Sequence, residues 1–287
     1  MKPFLKWVGG KSQIIEEVID SFPKEIRNYH EVFVGGGSVL LSVLSRGRLV
    51  KGKIYAYDLN GSLIALYQNI QSNPGAVQGH VQKLFGEYDK CSGDDVNRDP
   101  ATFEEAMRSK ENYYYWVRKK FNTNKEETIE RSAMFLFLNK TCFRGVYREG
   151  PNGFNVPWGH YKKAPSCSEL TEVSKLIKDV QFRQCDFRQA FKNVRKGDFI
   201  YLDPPYAPET KSSFVGYTKD GFGKEDHEDL FNLIKGSGAT FVMSNAKVEM
   251  VTEAFSEYNI KDVKARRAIN SKDPSSTTTE VVVYSTR

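Results

Sequence analysis

The sequence predicts an α/β architecture, a sheet of strands alternating with helices and interrupted by a long, mostly helical insertion. Short β-rich runs alternate with a helical stretch near the start, no convincing strand appears from Gly61 to about Asn139, and strand–helix alternation resumes from Val180 to the end.

Residues 30–34 (HEVFV) and 53–57 (KIYAY) are the first strands, with a glycine turn and a helix over Ser38–Ser45 between them. Leu63, Leu66, Tyr67 and Ile70 then share one helical face, and Met134, Phe135 and Leu138 another. From Phe143 to Trp158 the chain is rich in glycine, asparagine and aromatics, and Gly150-Pro151-Asn152-Gly153 is turn chemistry for a β-hairpin or ordered loop. Strands follow at 180–184, 198–202 and 239–243, a helix from about Lys224, and β-rich ends at 259–264 and 279–284. The insertion is expected over 61–168, between 1–60 and 169–287.

With 287 residues, 39% hydrophobic and 13% aromatic, the chain can bury a large core, which excludes disorder and a disulfide-framed miniprotein. No apolar run reaches the ~18 residues of a membrane span, so neither export nor anchoring is expected. Cys91, Cys142, Cys167 and Cys185 lie far apart and form no zinc pattern, so no metal is expected, and reduced thiols in a cytoplasmic compartment fit them best. The net charge of +6 is uneven, because residues 118–125, 140–163 and 261–272 are strongly basic while acids cluster between Glu87 and Glu111. That pattern suits either a phosphate-docking face or solvated helices.

Phe33-Val34-Gly35-Gly36-Gly37-Ser38 follows a strand and opens a helix, where backbone can approach a nucleotide-like cofactor closely. It is not the dinucleotide fingerprint, since Leu40 stands where a third glycine is needed. Asp58 ends the next strand roughly 20 residues on, where an acidic side chain accepts from ribose hydroxyls, although it or Asn60 also suits a helix N-cap. Trp7-Val8-Gly9-Gly10-Lys11-Ser12 ends like a phosphate loop, but Leu5 replaces its first glycine, which disfavours nucleotide triphosphate hydrolysis. Lys11 and Trp7 instead suit a carboxylate and a cationic or apolar group.

Asp203-Pro204-Pro205-Tyr206 closes the apolar run 199–202, the end of a strand at which α/β sheets place chemistry. The Asp203 carboxylate and the Pro204 carbonyl are acceptors on a chain stiffened by Pro204 and Pro205, and Tyr206 is a stacking plate, together a receptor for a planar amine. A proline-stiffened turn is the plainer alternative.

These motifs resemble the DNA adenine N6-methyltransferases, in the group ordered cofactor motif, target-recognition insertion, catalytic motif, to which the GATC-specific adenine methylases belong. PFLKWVGGK at 3–11, FVGGGS at 33–38, Asp58-Leu59-Asn60, the 139–161 segment with FNVPWG, Cys185-Asp186-Phe187, DPPYAP at 203–208 and Ser244-Asn245 occur in that family's order across nearly the whole chain. The resemblance implies a class I S-adenosylmethionine-dependent fold, Rossmann-like with a mixed sheet. Residues 1–60 and 169–287 would then form the catalytic domain and 61–168 the mostly helical, hairpin-bearing target-recognition domain.

It further implies S-adenosylmethionine bound by Trp7, Lys11, Phe33, Gly35, Gly37, Asp58 and Asp203, with Asp186 and Phe187 at its adenine. Taken alone, Asp186-Phe187 reads as a helix cap followed by a core aromatic. Asp203, Pro204, Pro205 and Tyr206 would hold an adenine flipped from double-stranded DNA. Arg144, Val146, Arg148, Asn155 and Pro157 would contact DNA, with Arg148 reading guanine, unless both arginines touch only phosphate. Arg144 replaces the family's asparagine and the loop through Pro151 is shorter, leaving the target sequence open. Val32 and Cys185 replace a proline and a glycine without removing a functional group, and Arg266, Arg267 and Lys272 fit the family's basic segment.

The expected activity is therefore site-specific adenine methylation, for epigenetic marking or beside a separately acting cognate restriction endonuclease, by a protein for which a monomer suffices. An amino-methyltransferase acting on RNA or a protein amide, or an inactive DNA-binding module, are the alternatives.

Overall fold

A computed structural model describes residues 1–47, 49–163, 170–207, 221–266 and 277–285. Cys167, Pro208, Arg267, Lys272 and the expected boundary at 168/169 lie outside them. The strands are β1 (Tyr29–Val32), β2 (Ile54–Asp58), β3 (Glu149–Gly150), β4 (Gly153–Phe154), β5 (Val180–Gln184), β6 (Phe199–Leu202), β7 (Thr240–Ala246), β8 (Asn259–Arg266) and β9 (Thr277–Tyr284). The helices are α1 (Ile15–Ile19), α2 (Ser38–Ser45), α3 (Gly61–Ser72), α4 (Pro74–Lys90), α5 (Phe103–Ala106), α6 (Lys110–Thr123), α7 (Ile129–Thr141), α8 (Leu170–Ile177), α9 (Phe187–Phe191), α10 (Lys224–Gly236) and α11 (Glu249–Ala254).

The chain divides into two compact units. The first comprises Met1, Lys11–Leu59 and Asp179–Arg287, and holds a sheet in the order β5-β2-β1-β6-β7-β9-β8. From β5 to β7 all pairs are parallel, and β9 runs antiparallel to both β7 and β8. Every residue of β1 and β6 is buried, as parallel strands covered on both faces require. Polar residues in β1 are matched: His30 meets Asp198 at 3.1 Å and the Tyr57 hydroxyl at 3.2 Å, and the Tyr29 hydroxyl donates to Glu31 at 2.5 Å.

The second unit comprises Lys2–Gly10 and Asn60–Lys178. Asn60, Asn73, Ser109 and Thr128 cap α3, α4, α6 and α7 with their side-chain oxygens, each worth ~1 kcal/mol to its helix. Helix α7 is the centre, packed on α3, α4 and α6. Its buried Arg131 donates to Glu127, the Ser62 hydroxyl and the Asn124 carbonyl, each at 2.6 Å, so the desolvated cation keeps its partners.

Two segments join this unit from outside the expected 61–168 span. Residues 2–10 pair with α7, where the Lys6 N–H donates to Asn139 Oδ1 at 3.0 Å and Asn139 Nδ2 to the Lys6 carbonyl at 2.7 Å. Helix α8 buries Leu170, Val173 and Ile177, and Gln71 of α3 donates to the Ile177 carbonyl at 2.7 Å. Among the described residues no helix is long and apolar enough to cross a membrane.

Candidate functional site

Strand register collects the distant motifs of the sheet unit. Val32 lies opposite Tyr57 and Leu202, and Leu202 opposite Met243, so Asp58, Phe33, Asp203 and Ser244 follow one another across the C-terminal edge. Strand order turns at β1, which is flanked by β2 and β6, and such a switch point is where open α/β sheets leave a crevice.

The turn from β1 to α2 is built from left-handed backbone: Phe33 at φ 72°, Gly35 at 48° and Gly37 at 68°. Glycine takes these angles freely, whereas at Phe33 the conformation carries strain of order 1–3 kcal/mol. The Gly35 N–H donates to Asp58 Oδ2 at 2.9 Å. Asn60, not Asp58, caps the following helix, which resolves the alternative left open for Asp58.

The Asp203-Pro204-Pro205-Tyr206 segment is held from several sides. The buried Lys11 donates to Asp203 Oδ2 at 2.8 Å, and its own N–H is held by the Ser38 hydroxyl at 3.1 Å. Burial pushes the Asp203 carboxyl above the ordinary range while Lys11 pulls it down. Asp203 Oδ1 is buried and has no hydrogen-bond partner among the described residues. The Tyr206 hydroxyl donates to Glu280 at 2.6 Å, and Lys11 Nζ lies 4.9 Å from its ring centre. The Pro205 carbonyl faces His227 Nε2 at 3.1 Å, and Asn245 Oδ1 accepts from the Ala207 N–H at 3.1 Å. Sequence reasoning missed Glu280 and His227, whose partners sit 74 and 22 residues away.

An aromatic wall lines the same edge. Phe33 lies 5.9 Å from Phe187 and 5.7 Å from Phe222, and Phe187 lies 5.4 Å from Phe222. Asp186 caps α9 by accepting from the Arg188 N–H at 2.8 Å, so this pair is a helix cap and an aromatic partner of Phe33 at once. Phe222 was also missed, and its only sequence signal is its place between Gly221 and Gly223 just before α10.

The remaining candidates belong to the helical unit. Trp7 stacks on Tyr147 with ring centres 6.1 Å apart. Exposed Arg148 donates Nε to Asn155 Oδ1 at 2.7 Å across the β3–β4 hairpin, Arg144 is exposed with φ 56°, Val146 is half-buried, and Pro157 is exposed. One face of α6 holds this loop: Tyr114 and Arg118 donate to the Val156 carbonyl at 2.8 and 3.2 Å, and Asn122 makes a paired bond with the Phe154 backbone at 2.8 and 2.9 Å. Tyr114, Arg118 and Asn122 recur every fourth residue, a signal that was legible but unused. In the basic run 118–125, Lys119 and Lys120 stay exposed, Lys119 pairing with Asp99 at 2.6 Å and Lys120 lying 3.6 Å above Trp116, while Arg118 turns to the loop.

Structure thus brings Lys11, Phe33, Gly35, Gly37, Asp58, Asp186, Phe187 and residues 203–206 into the sheet unit. Trp7, Arg144, Val146, Arg148, Asn155 and Pro157 lie in the helical one.

Residues 7–269 match the family described as D12 class N6 adenine-specific DNA methyltransferase. The chain is 37% identical to the type II methyltransferase M.MjaIII of Methanocaldococcus jannaschii, over 95% of this chain and 94% of that protein. It is 31% identical to the DNA adenine methylase of Haemophilus influenzae, over 94% of this chain and 88% of that protein. Identity to the type II methyltransferase M1.LlaDCHI of Lactococcus lactis subsp. cremoris is 29%, over 99% and 95%.

Proposed function

Because the chain belongs to the D12 class of N6 adenine-specific DNA methyltransferases, we propose that its sheet unit binds S-adenosylmethionine and methylates an adenine flipped from duplex DNA. The protein is a site-specific adenine DNA methyltransferase, and the family match does not favour an RNA, protein-amide or non-catalytic reading.

The residues present fit the proposed donor. The Phe33, Phe187 and Phe222 rings offer an apolar wall for a purine, Asp58 at the end of β2 offers a carboxylate for ribose hydroxyls, and Gly35 and Gly37 keep the turn clear of side chains. When bound, S-adenosylmethionine supplies an electrophilic methyl group on a sulfonium.

The observation that carries the catalytic reading is the buried Asp203 Oδ1 without a partner among the described residues. A buried acceptor left open costs ~1–3 kcal/mol, which an amine donor recovers. Asp203 and the Pro204 carbonyl accept the two hydrogens of the adenine amine, turning its lone pair out of ring conjugation and toward the methyl. Pro205 stiffens this turn, and Lys11 holds Asp203 as the accepting carboxylate. Tyr206 stacks on the flipped base, offsetting an unstacking cost of a few kcal/mol by ~1–3 kcal/mol.

The helical unit, with residues 2–10, serves target recognition. Arg148 reads a base edge while Arg144, Val146, Asn155 and Pro157 set the loop against the duplex. The type II relatives support a cognate restriction endonuclease acting separately, and DNA as substrate supports a cytoplasmic setting.

Transfer of tritiated methyl groups from S-adenosylmethionine to duplex DNA, with modified positions mapped by single-molecule sequencing, tests the whole reading. N6-methyladenine confined to one short motif is expected; cofactor binding without transfer to any duplex would refute it.

A further inference from the structure

We infer that Glu280 is a positioning residue for Tyr206: its carboxylate pins the tyrosine hydroxyl and presets the plane on which the flipped adenine stacks. The inference rests on the base-stacking role proposed for Tyr206.

A tyrosine at the end of a loop swings on two side-chain torsions, and a plate free to swing must be ordered when the base arrives. Here the ring is tethered at both ends. At its root, Pro204 and Pro205 restrict the backbone before it, and Asn245 Oδ1 accepts the Ala207 N–H at 3.1 Å just after it. At its tip, the hydroxyl donates to Glu280 Oε2 at 2.6 Å, a short bond to a carboxylate.

Glu280 itself has little freedom of place. It lies in β9 opposite Ala246 of β7 and Val263 of β8, flanked by the fully buried run Val281–Val283. The carboxylate therefore projects from a strand hydrogen-bonded on both sides, a stiffer support than a loop. Lys11, 4.9 Å from the ring centre and bonded to Asp203, restrains the ring from the side of the acceptor group.

Three variants test this: Tyr206→Phe, which keeps the plate but removes its tether, Glu280→Ala, and Tyr206→Phe combined with Glu280→Ala. They are measured for kcat, for KM toward cofactor and DNA, and for fluorescence of 2-aminopurine placed at the mapped target position. Tyr206→Phe and Glu280→Ala should each lower kcat about tenfold and reduce the 2-aminopurine signal change, with cofactor KM unmoved, and the double variant should lose no more than either alone. Glu280→Gln, whose amide oxygen still accepts the hydroxyl bond, should recover most of the loss.

Multiplicative losses in the double variant, or wild-type turnover in Tyr206→Phe, would overturn the inference; the latter decides even if Glu280→Ala does not fold. Tyr206→Ala separates the two levels. If it leaves the fluorescence change and kcat intact, the stacking role of Tyr206 itself fails, whereas loss there with an inert Tyr206→Phe removes only the tether.

Discussion

Lys11 and Asp203, 192 residues apart, meet through a 2.8 Å bond between the ammonium and one carboxylate oxygen, while the other oxygen stays buried with no partner among the described residues. The lysine thus stabilises the charge without using the acceptor that the amine needs. Its contribution is visible in pH dependence. Burial raises the Asp203 pKa, Lys11 lowers it, and Glu280 adds to the rise. The ionised form is the stronger acceptor and the one Lys11 pairs with, so activity falls as pH drops through the raised pKa, giving an acid limb above the ordinary aspartate range. Lys11→Met should move that limb to still higher pH and lower kcat about tenfold or more at neutrality. A kcat profile at saturating cofactor checks this, and an unmoved limb would contradict it.

Glu31 in β1 predicts a different pH effect, on stability. Burial raises its pKa from 4.5 to about 8, against the bond it accepts from the Tyr29 hydroxyl. The folded state therefore holds a proton that the unfolded chain releases. Stability falls as pH rises through the window from 4.5 to about 8, by up to ~1.4 kcal/mol per pH unit. Glu31→Gln cannot ionise and should melt higher than the parent at pH 8, with the difference vanishing near pH 4. Equal melting temperatures at pH 8 would show that the carboxyl ionises in the fold.

Phe222 separates cofactor binding from chemistry. Removing the Phe222 ring takes away its contacts with Phe33 and Phe187, at 5.7 and 5.4 Å, and an edge contact with His227 at 4.7 Å. Each such contact is worth ~0.5–1.5 kcal/mol. Phe222→Ala should weaken S-adenosylmethionine binding about tenfold by calorimetry while kcat at saturation changes less than threefold.

Asn122 links the fold of the helical unit to target choice. Asn122→Ala leaves the Phe154 N–H and carbonyl without their side-chain partner in a part-buried place, at a cost of ~1–3 kcal/mol. The melting temperature should drop by several degrees, and the methylated motif should broaden as the hairpin bearing Arg148 and Asn155 loosens. A broadened motif separates this from simple destabilisation, which lowers the yield at all sites alike.

Much of the sheet was legible because local pattern and burial agree there. Each expected strand outside the hairpin region exists, since short β-branched and aromatic runs bounded by turns suit buried parallel strands. Helix α2 begins and ends where expected, because Gly37 takes the left-handed turn that starts it. Residues 2–10 and α8 group with the helical unit, a placement local pattern does not signal because their partners, Asn139 and Gln71, are distant in sequence. Asn122, Glu280, His227 and Phe222 were missed for the same reason: each acts on a partner that only folding supplies.

Sequence alone determined the residue chemistry, namely glycines where backbone turns left-handed, acids after strands, and a proline-stiffened Asp203–Tyr206 segment in a family's order. Spacing along a chain encodes such turns and strand ends, because they depend on neighbours a few residues away. Tertiary structure decided which of these groups meet and how they are held. Parallel register aligned Phe33, Asp58 and Asp203 on one edge, Lys11 was buried against Asp203, and Glu280 was carried to the Tyr206 hydroxyl. Those contacts join residues up to 192 positions apart, and their geometry follows from strand pairing and packing, which no local pattern records.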